Sequence, residues 1–148
     1  MSSDGSTVIF RGMPASLQLR SVERFARKLK TGVANGRAFD CLITTDSELR
    51  RLNREFRGQD AVTDVLSFPA ASPNGHLGDV AISIGRARAQ ALAFGHTVEQ
   101  EVRILMLHGV LHLLGMDHET DTGRMARAEK RWRAALGLPN GLIERVRS

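Results

Sequence analysis

The chain has 148 residues, with 42% of them hydrophobic and 25% charged, a balance that suits one globular domain with a real core and leaves no room for two. A net charge of +5 and an isoelectric point near 10.6 describe a surface that attracts polyanions. No run approaches the roughly 18 uncharged apolar residues of a membrane span, the first residues lack the basic and apolar regions of an export signal, and a single cysteine, Cys41, forms no intrachain disulfide, so a reducing, cytoplasmic setting is expected.

In chain order, Ser6 to Arg11 is a short β-branched run and reads as a first strand, broken at Pro14. From Leu17 to Lys30 the apolar set Val22, Phe25, Ala26 and Leu29 repeats at helical spacing, with Arg20, Arg24, Arg27 and Lys28 on the outer face. Ala38 to Thr44 alternates Phe39, Cys41 and Ile43 on one side, as a half-buried strand does. Asp46 is placed to cap the helix that follows, whose inward stripe is Leu49, Leu52 and Phe56 and whose Arg50, Arg54 and Arg57 align elsewhere. Gly58 ends that helix.

Thr63 to Pro69 and Leu77 to Ser83 read as two core strands separated by a Pro/Asn/Gly turn at 72–75, with Val80 and Ile82 on one face of the second. Ile84 to Phe94 is an alanine-rich helix stopped by Gly95. Thr97 and Gln100 then form a capping box. The helix they open, Val98 to Leu114, is apolar on most sides and reads as the buried spine. Glu119 to Leu136 is a last helix with Met125, Ala128, Trp132 and Ala135 inward, and a short basic tail follows Pro139.

The spine helix ends in His108-Gly-Val-Leu-His112-Leu-Leu-Gly-Met-Asp-His118. Histidines four apart lie one turn up the same helical face, so both imidazoles can converge on one point. Gly115 can take the left-handed conformation that stops the helix and turns the chain, which lets His118 swing back toward the pair. Asp117 is read as ordering that turn, and His96 as a local turn residue outside the ligand set. Three imidazoles with one open position make an arrangement of catalytic zinc. Nickel, cobalt and manganese are not excluded by the ligand types alone.

This segment resembles the signature of the YbeY family, bacterial metal-dependent endoribonucleases. Asn53-x-x-Phe-Arg57, Thr63-Asp-Val-Leu-Ser-Phe68 and Leu77-Gly-Asp79 resemble further blocks of the same family in the same order. The resemblance implies a zincin-like α+β domain, with a small mixed sheet of about four strands packed by about five helices and one zinc ion on the central helix. It also implies a single-strand-preferring endoribonuclease that matures the 3′ end of 16S ribosomal RNA and serves ribosome quality control. The partners so implied are ribosomal RNA and the ribosome or small-subunit proteins, with no membrane. Arg57, at the arginine of its block, becomes the candidate catalytic cation, its planar fork of donors suited to phosphate. By itself it would read as a helix C-terminal cation. Asp64 and Asp79 are read as strand-end acceptors, with a role behind the ligands left open.

Two other functions remain compatible with the residues. The segment resembles the His-Glu-x-x-His helix of zinc peptidases, but Gly109 stands where that mechanism needs its general base; a peptidase or other zinc hydrolase would need another base. A non-catalytic ribosome-associated factor braced by a structural zinc is the second. Few aromatics, Phe 6 and Trp 1 with no Tyr, speak against a base-stacking platform and for recognition through phosphate and shape.

Overall fold

A computed structural model of the chain describes residues 7–11, 17–71, 75–117 and 119–139. The expected break at Pro14, the tip of the turn at 72–74, His118 and the basic tail past 139 lie outside the described residues. The α+β architecture expected from the sequence is what the chain adopts. Among the described residues four strands form one mixed sheet in the order β1-β2-β4-β3, where β1 is Thr7–Phe10, β2 Ala38–Thr44, β3 Val65–Pro69 and β4 His76–Ser83. β2 runs parallel to β1 and to β4, and β3 pairs antiparallel with β4 at the sheet's edge. Among the described residues five α-helices join them: α1 (Leu19–Lys28), α2 (Asp46–Arg57), α3 (Ile84–Phe94), α4 (Val98–Leu113) and α5 (Arg124–Ala135).

The alternation in β2 sorts the layers. Phe39, Cys41 and Ile43 are buried in one cluster with Leu77, Val80 and Ile82 of β4, Val22 and Phe25 of α1, and nearly every apolar residue of α4. Each such large side chain contributes about 1.5–3 kcal/mol by leaving water. A smaller cluster of Leu49, Leu66 and Ala81 fills the space between α2 and the sheet. α4 is therefore held on one side by the sheet and on others by α1, α3 and α5. That enclosure explains why it lacks a polar face. Among the described residues no helix is long and apolar enough to cross a membrane.

Several boundaries differ from the sequence expectation for local reasons. Thr45, not Asp46, caps α2, its hydroxyl accepting from Glu48 N at 3.2 Å; the Asp46 carboxylate instead accepts from the Ser83 hydroxyl. The first helix passes after Lys28 into a π-helical turn, Leu29–Val33, which lays Gly32 against the Trp132 ring. α5 starts at Arg124 rather than Glu119, because the Asp121 carboxylate takes up the amides of Gly123 and Met125 and caps the helix there. Phe56, expected inward, is 65% exposed and packs edge to face with the Phe68 ring, their centroids 5.4 Å apart. Ala135, also expected inward, is exposed, and the buried stripe of α5 is Met125, Ala128 and Glu129.

β4 carries an extra residue against β2. Ala38 faces His76 and Asp40 faces Asp79, so two steps on one strand match three on the other. Gly78 makes the bulge possible, with φ of +141° and a Cβ position only 2.2 Å from the Phe68 carbonyl oxygen. The bulge keeps both Leu77 and Val80 in the main core. It also sets His76 and Asp79 side by side near Asp40, His76 Nε2 being 3.7 Å from a carboxylate oxygen of each.

Candidate metal centre

His108 and His112 sit in the last turns of α4, and their spacing alone puts them on one face. The rings meet edge to face, with centroids 4.8 Å apart at 73°, close enough to share one ion. Helix α4 gives way at Leu114, and Gly115 then takes φ of +89°, the reversal expected of it. Its amide donates to the His112 carbonyl at 2.9 Å. Asp117 shapes the next bend, accepting from the Glu119 amide at 3.0 Å. The third expected ligand, His118, lies outside the described residues.

Both histidines open into a cavity of about 390 Å³, whose lining includes Arg57, Asp64, Ser67 and Asp117. Arg57, chosen from the sequence only through a family block, is thereby brought to the same cavity as the histidine pair although it comes from another helix. Its neighbours on α2 are committed elsewhere. Arg50 grips Asp60 through two hydrogen bonds, at 2.8 and 3.2 Å, and so holds that carboxylate below its ordinary range; Arg54 approaches the same acid at 3.9 Å. Arg51 lies between Glu48 and Glu55. Among the described residues, Arg57 makes no ion pair with an acid.

Edge strand β3 forms one wall of the cavity. The Ser67 hydroxyl donates to the Gly109 carbonyl at 2.9 Å and so ties α4 to the strand. Gly109 itself faces the sheet. A Cβ there would come within 2.7 Å of Val80 Cγ1 and 3.3 Å of Ser67 Oγ, so this position has no room for the glutamate of a peptidase helix. Asp64 ends its segment as an acceptor, its carbonyl taking the Ser83 amide at 2.9 Å and its carboxylate the Gln90 side chain at 3.3 Å.

Behind the pair, His108 is 6% exposed, and its Nδ1 lies 2.8 Å from the Glu129 carboxylate of α5, itself only 2% exposed. Sequence reading missed this acid. The signal was present: position 129 lies four residues after Met125 and three before Trp132, on the stripe that faces inward. His96 lies away from the cavity, where its Nε2 meets the buried carboxylate of Glu101 at 2.5 Å.

A second group of possible ligands, Asp40, His76 and Asp79, has donor atoms within 4.8 Å of one another and could hold an ion. It lies on the sheet face turned away from α4, and its side chains are 40–62% exposed. Asp79 is thus not behind the histidine pair.

The donor set of the α4 cavity, imidazoles with a buried carboxylate behind one of them, fits zinc.

The chain is similar to known proteins over most of its length. The family model described as Endoribonuclease YbeY matches residues 15–137. The Endoribonuclease YbeY of Solibacter usitatus is 67% identical over 147 residues, covering 99% of each chain. That of Koribacter versatilis is 44% identical over 139 residues, covering 94% of this chain and 91% of its own. Among solved structures, the solution structure of TM1509 from Thermotoga maritima superposes with a TM-score of 0.60 at 27% identity, covering 86% of this chain and 85% of the other.

Proposed function

The chain belongs to the Endoribonuclease YbeY family, and from that premise we propose that it is a zinc-dependent endoribonuclease that prefers single-stranded RNA. We place its work in ribosomal RNA processing, at the 3′ end of 16S RNA, and in ribosome quality control in the cytoplasm, with ribosomal RNA and small-subunit proteins as its partners. Names of relatives supply the nuclease activity; RNA substrate, pathway and location follow the family resemblance. The observation that carries the chemistry is the shared cavity of His108, His112 and Arg57.

His108, His112 and His118 would hold the ion. When bound, zinc supplies a Lewis acid and lowers the pKa of coordinated water to about 7. The protein's own contribution begins with Arg57. A guanidinium facing the cavity can hold a phosphodiester by two parallel donors and neutralise the charge that builds on it as the bond is cut. Asp117 fixes the bend that follows the helix, and Ser67 fixes the distance between α4 and β3. Edge strand β3 supplies Val65, Leu66, Ser67 and Pro69 to the cavity's lining.

The peptidase alternative loses ground at Gly109, since Val80 occupies the space its base would need. The test is elemental analysis of the purified chain beside a His112→Ala control, followed by RNA cleavage before and after metal removal and restoration. About one zinc per chain, lost in the control, and cleavage that returns with the metal support the proposal. Cleavage of RNA by the metal-free protein at an undiminished rate would overturn it.

A further inference from the structure

The Glu129 carboxylate is 2% exposed and lies on the stripe of α5 that also buries Met125 at 0% and Ala128 at 6%. Burying a carboxylate is costly unless it is paired and hydrogen-bonded, and an apolar residue of similar volume in such a place is often neutral or stabilising. One partner is His108, 21 residues earlier in the chain and 2.8 Å away through Nδ1. A carboxylate in its ionised form only accepts, so this contact suits an imidazole that donates its Nδ1 proton. Such a donation would put the proton on Nδ1, leave Nε2 with its lone pair, and hold the ring plane relative to the His112 ring, whose centroid is 4.8 Å away.

We infer that Glu129 is a positioning residue of the metal centre, which holds the His108 tautomer and ring orientation so that Nε2 faces the cavity as a ligand. The carboxylate touches neither ion nor RNA. It acts from the far side, through the imidazole, which also becomes a stronger donor when its other nitrogen is held by a negative charge. This role brings α5 into the site, although no residue of that helix borders the cavity. The inference rests on the reading of His108 as a ligand.

The test compares the parent with Glu129→Met, which keeps the volume and loses the acceptor, and Glu129→Gln, which keeps an acceptor oxygen without the charge. Zinc affinity is read by competition with a chromogenic chelator, and folding of the metal-free proteins by thermal unfolding. Expected are a roughly 10–100-fold loss of zinc affinity in Glu129→Met with the metal-free fold retained, and recovery of a large part of that loss in Glu129→Gln. Substitution of cobalt for zinc should show an altered visible absorption spectrum in Glu129→Met. Zinc affinity and cobalt spectrum unchanged in a folded Glu129→Met would overturn the inference. A His108→Ala control separates the two layers of argument: if that control binds zinc as the parent does, His108 is not a ligand and the underlying reading fails first. Should Glu129→Met not fold, nitrogen-15 NMR of the parent's imidazoles decides. A proton on Nδ1 of His108 in the metal-free protein supports the inference, and a proton on Nε2 alone overturns it.

Discussion

Gly109 and Val80 are in such close contact that a single carbon added to the glycine would lie 2.7 Å from the valine's Cγ1. Helix α4 rests on β4 through this contact, and the Ser67 hydroxyl locks the same turn by donating to the Gly109 carbonyl. The absent side chain therefore sets how near the histidine pair comes to the cavity's β3 wall. Val80 is fully buried, so making room for a larger residue at 109 would disturb its packed neighbours.

Gly109→Ala is accordingly predicted to destabilise the protein. Overpacking costs about 1–3 kcal/mol, and the gain of roughly 1 kcal/mol from replacing a helical glycine offsets only part of it. Denaturant unfolding of Gly109→Ala, Val80→Ala and the double variant checks this. The alanine at 109 should cost less when position 80 is also alanine; equal costs in both backgrounds would mean that the contact is not the cause.

Arg57 is predicted to matter for cleavage and Arg54 not, because the second approaches Asp60 while the first faces the cavity. Removing one donor that stabilises transition-state charge typically costs about 10²–10³ in rate. Single-turnover cleavage of a single-stranded RNA should fall by about that factor in Arg57→Ala, with zinc content and melting temperature kept, and stay near the parent rate in Arg54→Ala. Equal losses in the two variants would reduce Arg57 to one cation of a basic surface.

Cys41 predicts an alkaline limit to stability. Burial, with a further push from the Asp40 carboxylate, holds its thiol far above the ordinary value of 9.0. The folded state thus keeps a proton that the unfolded state releases, and stability falls as pH rises past about 9; the slope approaches about 1.4 kcal/mol per pH unit. Below that pH both states hold the proton and the effect is absent. Urea unfolding from pH 7 to 10.5 checks it against Cys41→Ala, where the parent's advantage should narrow above pH 9. A constant difference across the range would refute the account.

The capping box of α4 offers a stability test that is separate from the chemistry. Gln100 N donates to Thr97 Oγ1 at 3.0 Å and Thr97 N to Gln100 Oε1 at 2.9 Å. Thr97→Ala should cost about 0.5–2 kcal/mol in thermal or denaturant unfolding, while zinc affinity stays at the parent's level because the histidines lie near the helix's other end. A large loss of zinc binding would show that fraying reaches the site.

Much of this was legible in the residues because it depends on neighbours along the chain. Helical period places His108 beside His112 whatever surrounds them, the Thr97 box starts α4, Gly115 turns the chain after it, and alternation in β2 assigns Phe39, Cys41 and Ile43 to the core. Where the expectation slipped, close competitors differed by little: two adjacent oxygens could cap α2, and Asp121 captured the amides that would have begun α5 earlier.

Contacts between distant segments had no such local signature. Arg50, Arg54 and Arg57 look alike on a helical wheel, and only the fold of the following loop brings Asp60 to the first two while Arg57 is left facing the histidines. Glu129 meets His108 because α5 packs on α4, and Gly109 is required because β4 presents Val80 at that height. Periodicity can say which face of an element turns inward. Which residue of another element it then touches depends on how the layers pack, and that is an energy of the whole chain.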